Sequence, residues 1–192
     1  LPQVQTVGDS AFEFCSSLAS VSLPQVQTVG GSAFYGCGSL ASVSLPQVQT
    51  VGIGVFGGCN SLASVSLPQV QTVGASAFSS CGSLASVSLP QVQTVGDYAF
   101  YGCNSLASLY FDGNAPTIGA EIFADITPNQ VTNYVTNPQA TGWGDELGGM
   151  PVVRPPLYAD AITLNGDTIT EWPVGGGETS IIAPLYESGT NV

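Results

Sequence analysis

Apolar residues recur at fixed offsets along the first 111 residues, at spacings that no helix keeps. In the stretch after Gly8 they fall at Phe12, Cys15, Leu18, Val21, Leu23, Val26 and Val29, and the same series then begins again. LPQVQTVG starts at Leu1, Leu23, Leu45, Leu67 and Leu89, a strict period of 22 residues. Each unit runs through a short variable stretch to Phe, then Cys, then Ser-Leu-Ala-Ser. Pro24 and Gly30, with their equivalents, interrupt every unit, and β-branched residues dominate it, so helix is excluded. Read from Leu18, the series is L-x-x-V-x-L, the strand signature of a leucine-rich repeat. One unit cannot bury its own apolar face. Stacked in register, five units bury continuous columns of Phe, Cys, Leu and Val at about 4.7–5 Å per coil.

The pattern LPxVxxVGxxAFxxCxSLxxVxL resembles the BspA-like leucine-rich repeats of bacterial surface proteins, strongly over residues 1–111 and as far as about 153. Over the last part, YFDGNAPTIGAEIF and GWGDELGGMP resemble the segment that closes such arrays. The asparagine of ordinary leucine-rich repeats is replaced around Pro24, as this subfamily does. The resemblance implies an extracellular solenoid acting in adhesion or as a scaffold, without catalysis. The expected fold is therefore mainly β, a right-handed parallel solenoid with strands in LASVSL and VQTVG. Residues 1–111 form the solenoid, 112–153 a capping module anchored by Phe123 and Trp143, and 154–192 a linker with a β-rich tail. In that tail, AITLNGDTIT predicts a hairpin turning at Asn165-Gly166, and Gly175-Gly176-Gly177 predicts a joint.

Composition narrows the chemistry. The 192 residues hold no His, one cation among Lys and Arg, and 13 acids, ten of which lie in 112–192. Without His there is no Ser-His or Cys-His pair and no HExxH zinc site; without Lys there is no Schiff base. A lone Arg154 cannot neutralise a phosphate backbone, which excludes nucleic acid as a partner. No apolar run is long enough to span a membrane as a helix. Neither a cofactor nor a metal site is expected: Asp145-Glu146 and Asp112-x-Asn114 match no calcium loop, and nothing pairs two carboxylates for glycoside hydrolysis. Trypsin meets only Arg154, before a proline, which fits an extracellular site.

The Cys column (Cys15, Cys37, Cys59, Cys81, Cys103) is expected to be buried free thiols, the alternative being disulfides between stacked coils. The Phe column is expected to be core. The repeated Gln25, Gln27 and Thr28 predict amide ladders on a flat face, with ice binding as an alternative use. Ala19, Ser20 and Ser22 repeat without change, which argues against the strand face as a specific reader. The units differ between Gly8 and Ser17, reading DSAFEFCS, GSAFYGCG, IGVFGGCN, ASAFSSCG and DYAFYGCN. These slots place Asp9, Glu13, Phe14, Tyr35, Ile53, Tyr98 and Tyr101 on a candidate contact edge for a protein or surface ligand, against a plainer reading as drift in a tolerant loop. Leu1 opens directly into the consensus, so the chain reads as a mature product or a segment of a longer adhesin, with its first coil uncovered. A competing expectation is that Ile162, Leu164, Ile169 and Trp172 carry an assembly tail that adds strands to the open coil of a second copy, making a head-to-tail filament.

Overall fold

The computed structural model describes residues 4–155, together with backbone pairing at 164–165, 168–169, 172–174 and 178–180. Residues up to Arg154 form one compact unit, and residues from Pro155 onward belong to a second.

The first unit is an all-β parallel solenoid, without helix among the described residues. Each 22-residue coil contributes two short strands. The Thr-Val pairs β1 (Thr6–Val7), β3 (Thr28–Val29), β5 (Thr50–Val51), β7 (Thr72–Val73) and β9 (Thr94–Val95) build one parallel sheet, to which β11 (Thr117–Ile118) adds a sixth strand. The Ser-Val-Ser triplets β2 (Ser20–Ser22), β4 (Ser42–Ser44) and β6 (Ser64–Ser66) build a second. The strand face resumes with β8 (Ser86–Ser88), β10 (Ser108–Phe111) and β12 (Thr132–Val135) as a separate ladder. Residues of one column pair directly, Val21 with Val43 and Val43 with Val65. The strands are shorter than LASVSL and VQTVG because each coil turns sharply at the Leu-Pro step and at the Val-Gly step.

The core is a set of columns. Phe34, Phe56, Phe78 and Phe100 are fully buried, with successive rings stacked at centroid separations of 5.4–5.7 Å. Offset stacking of this kind adds to the burial itself. Phe12 stacks on Phe34 at 5.2 Å and is part-buried.

All five cysteines are free thiols. Four are buried, and each donates through Sγ to the Phe carbonyl of the coil before: Cys37 to Phe12 at 2.9 Å, Cys59 to Phe34 and Cys81 to Phe56 at 3.1 Å, Cys103 to Phe78 at 3.0 Å. Cys15 corrects the expectation for the column. It is exposed in this structure. Glycine at the eighth position lets the backbones touch at Gly30, Gly74, Gly96 and Gly119. A Cβ on Gly96 would sit 2.5 Å from the Ala75 nitrogen, whereas one on Gly8 would meet nothing.

Residues 112–135 continue both ladders. Thr117 pairs with Thr94, and Ser108–Phe111 pairs with Thr132–Val135. Phe123 extends the Phe column at 6.0 Å from Phe100, and Ile126 follows it where the other coils carry Cys. The last rung is β14 (Met150–Val153), parallel to β12 on one side and antiparallel to β13 (Glu146–Leu147) on the other. Trp143 is buried against Phe111, its Nε1 donating to the Gly113 carbonyl. Asn133 is fully buried at the column position of Leu109, and its Nδ2 donates to the carbonyls of Met150 and Pro151, both at 3.3 Å. This amide ties the closing turn to the last coil.

In the second unit, β15 (Leu164–Asn165) pairs antiparallel with β16 (Thr168–Ile169), so Asn165 lies in a strand rather than in the turn. A further hairpin joins β17 (Trp172–Val174) to β18 (Glu178–Ser180). Ile162, Gly166 and the Gly175–Gly177 segment lie outside the described residues.

Candidate contact surfaces

The loop between Gly8 and Cys15, and its equivalents, crosses one edge of the solenoid. Two residues per loop take a left-handed backbone. At the tenth position of successive coils these are Ser10, Ser32, Gly54, Ser76, Tyr98 and Glu121, with φ between 51° and 62°. At the fourteenth they are Phe14, Gly36, Gly58, Ser80, Gly102 and Asp125, with φ between 56° and 71°. Glycine adopts this region freely, while a bulky side chain there strains the backbone. Phe14 and Tyr98 carry that strain, and their side chains stay in solvent, 66% and 41% exposed.

The edge residues fall into two mounds. Phe14 and Tyr35 meet edge to face at 5.6 Å. Tyr98 and Tyr101 meet similarly at 6.4 Å. Glycines in the following coil make room for the first mound: a Cβ at Gly36 would come within 2.5 Å of the Phe14 ring, and one at Gly57 within 2.8 Å of the Tyr35 ring. Between the mounds the edge carries only Gly57, Gly58, Ser79 and Ser80 at the corresponding positions. Ile53 is exposed in the ninth column, apart from both pairs. Glu13 is exposed beside Phe14 in sequence. Asp9 does something else: its Oδ1 accepts from the Gly31 N–H of the next coil at 2.7 Å, as Asp97 does from Ala120. Both are latches between coils. The Glu121 carboxylate beside Tyr98 raises its phenol above the ordinary range, with smaller contributions from desolvation and Asp97.

Sequence reasoning missed a second aromatic patch, on the strand face. Over the first three coils that face is a shallow trough of about 400 Å³ lined by the Ser-Val-Ser triplets. Beyond the trough, past Ser88 of the fourth coil, the outward column changes from serine to Tyr110 and then Tyr134, stacked at 5.2 Å. Val153, registered with Tyr134, is exposed beyond them. The departure at Leu109-Tyr110 was the available signal; Tyr134 lies in a coil without the consensus, where spacing alone does not assign it to the column. On the opposite sheet the glutamine backbones of neighbouring coils hydrogen-bond, Gln27 N donating to the Gln5 carbonyl and Gln93 N to that of Gln71, both at 2.8 Å, and among the described residues no hydrogen bond joins their side-chain amides. The threonines of that sheet stand in register, Thr6 with Thr28 and Thr72 with Thr94.

The model for the BspA type leucine rich repeat region matches in six copies, over residues 1–90 and 27–140. The chain belongs to this family. Among solved structures it is similar to a leucine-rich repeat protein from Bacteroides ovatus, with 34% identity over 70% of this chain, 36% of that one, and a TM-score of 0.61. It is also similar to the leucine rich repeat protein of T. pallidum, with 35% identity over 62% of this chain, 68% of that one, and a TM-score of 0.56. The chain thus spans about a third of the length of the Bacteroides protein. No curated protein matches it. In this BspA-type chain the repeat supplies the frame, and what distinguishes one coil from another is carried by the loop edge and by the last strands. No helix among the described residues is long and apolar enough to cross a membrane.

Proposed function

We propose that this chain is the recognition part of a non-enzymatic, extracellular surface protein that holds a protein or surface ligand on its loop edge, in adhesion or as a scaffold. The observation that carries this reading is the placement of Phe14 and Tyr98. Both are bulky, exposed and on left-handed backbone, at positions where the other 22-residue repeats carry Gly or Ser. Backbone strain that holds large aromatic side chains out in solvent points to a use outside the fold. Membership in the BspA-type family supports a surface role, and the lack of His and Lys supports a role without catalysis.

The repeats themselves supply substitutions that the fold accepts. Phe14→Gly and Tyr35→Gly copy Gly36 and Gly57; Tyr98→Ser and Tyr101→Ser copy Ser76 and Ser79. The chain displayed on a non-adherent bacterium should promote attachment to matrix-coated surfaces, and the fourfold variant should lose at least ten-fold of it. Equal attachment by both chains would refute the edge. A second reading rests on the in-register threonines of the opposite sheet, as an ice-facing surface; absence of thermal hysteresis at millimolar protein would dismiss it. Strand addition by the tail to a second copy is tested by light scattering with and without residues 157–192, where a monomer in both cases ends that reading.

A further inference from the structure

We infer that the loop edge takes an extended, cationic segment of a partner protein, its Arg or Lys side chains seated on the two aromatic mounds. This rests on the loop edge being the contact surface, and it adds the chemistry of what is bound. Three observations lead to it.

The first is shape. The Phe14/Tyr35 and Tyr98/Tyr101 mounds belong to coils 1–2 and 5, so their inner members, Tyr35 and Tyr101, stand three coil steps apart, about 15 Å at the spacing of parallel strands. The floor between them is small: Gly57, Gly58, Ser79 and Ser80. An extended chain rises about 3.3 Å per residue and sends alternate side chains to one face. Residues four apart therefore reach both mounds from a backbone lying along that floor.

The second is charge. Glu13 flanks the first mound, and Glu121 and Asp125 follow the second in the sixth coil, at the tenth and fourteenth positions. All three are exposed. The chain's only basic side chain, Arg154, pairs with Asp145 at 3.7 Å and is hydrogen-bonded to the Trp143 carbonyl. No basic side chain of this molecule is left for the carboxylates of the edge. With a net charge of -12, the surrounding field favours a cation and opposes an acidic segment or a phosphate.

The third is the kind of surface. Exposed tyrosine and phenylalanine faces attract guanidinium and ammonium groups through the ring quadrupole, and nearby carboxylates strengthen that attraction. Neutral aliphatic anchors would use the rings but leave the flanking acids without purpose.

The probe is a seven-residue peptide with arginines at its second and sixth positions and Gly and Ser elsewhere, titrated into the full chain by NMR. Its counterpart carries glutamines at the same two positions. The arginine peptide should bind at least ten-fold tighter than the glutamine one, and lose most of its affinity between 50 and 500 mM salt. The variant Phe14→Gly, Tyr35→Gly, Tyr98→Ser, Tyr101→Ser should weaken it ten-fold or more, and Glu121→Ser with Asp125→Gly about three-fold. Equal binding of both peptides, lost in the aromatic variant, would overturn the cationic assignment and leave the edge as the contact surface. Arginine-peptide binding unchanged in the aromatic variant would overturn both. Binding by neither peptide would overturn the ligand class, while the attachment assay still decides the edge.

Discussion

Phe12 and Phe78 stand in one column, sixty-six residues apart, in units of nearly the same sequence, yet their surroundings differ throughout. Phe78 is enclosed between Phe56 and Phe100, while Phe12 has Phe34 on one side only. Cys81 is buried and bonded to the Phe56 carbonyl; Cys15 is exposed. Leu84 and Val87 are buried, Leu18 and Val21 only partly. A 22-residue sequence therefore does not carry its own burial. The neighbouring coil supplies it, as expected where each repeat contacts only those beside it.

Burial in the inner coils should show most strongly in alkali. Burial pushes the thiols of Cys59 and Cys103 up to about 12, and raises that of Cys81 further, with neighbouring thiols adding to Cys59 and Cys81. In the unfolded chain these thiols ionise near 9, so the folded state holds more protons above that pH. Their stabilisation is whole below about pH 9 and declines as the pH rises toward about 12. Each thiol contributes a slope of about -1.4 kcal/mol per pH unit in that window. Denaturant titrations at pH 8, 9, 10 and 11 under reducing conditions should show the fall. Cys81→Ala should flatten it by one thiol's share. An unchanged slope in that variant would break the link between burial of the column and the alkaline loss.

Truncating the stacked rings comes next. Phe78→Ala should cost about 3–5 kcal/mol, while Phe12→Ala, already partly in water, should cost less than half as much. Chemical denaturation of the two variants checks the ratio. Glycine gives a smaller, purely steric version. Gly96→Ala drives a Cβ into the backbone of the preceding coil and should destabilise by about 1–3 kcal/mol; Gly8→Ala, with open space around it, should change stability by under about 0.5 kcal/mol. The smallest effect has the opposite sign. Phe14→Gly relieves a left-handed phenylalanine and should raise the unfolding free energy by about 1 kcal/mol at most, while lowering attachment. A loss of stability there would mean that Phe14 serves the fold.

Much of this architecture is legible in the spacing alone. A period of 22 residues with Phe, Cys, Leu and Val at fixed offsets leaves one economical packing, in which like residues stack on like. The columns, the parallel pairing and the aromatics at the variable loop all follow from it. Less legible is the stretch after Phe111, where Phe123 and Tyr134 rejoin their columns through a coil that has lost Cys, Ser-Leu-Ala-Ser and the 22-residue period. Spacing cannot register a residue once insertions shift it; the backbone ladder between β10 and β12 does so by hydrogen bonding.

Residue type and local order were enough to fix the repeat, its strands, its core-facing residues and the absence of histidine and lysine chemistry, none of which needs a neighbour in space. Contacts between coils decided the rest. They set which thiol is exposed, which glycine has no room for a methyl group, and which acids latch one coil to the next. They also set the exposure of Phe14 and Tyr98 on left-handed backbone. A coil buries its apolar side only against another coil, so identical residues acquire different environments from their place in the stack.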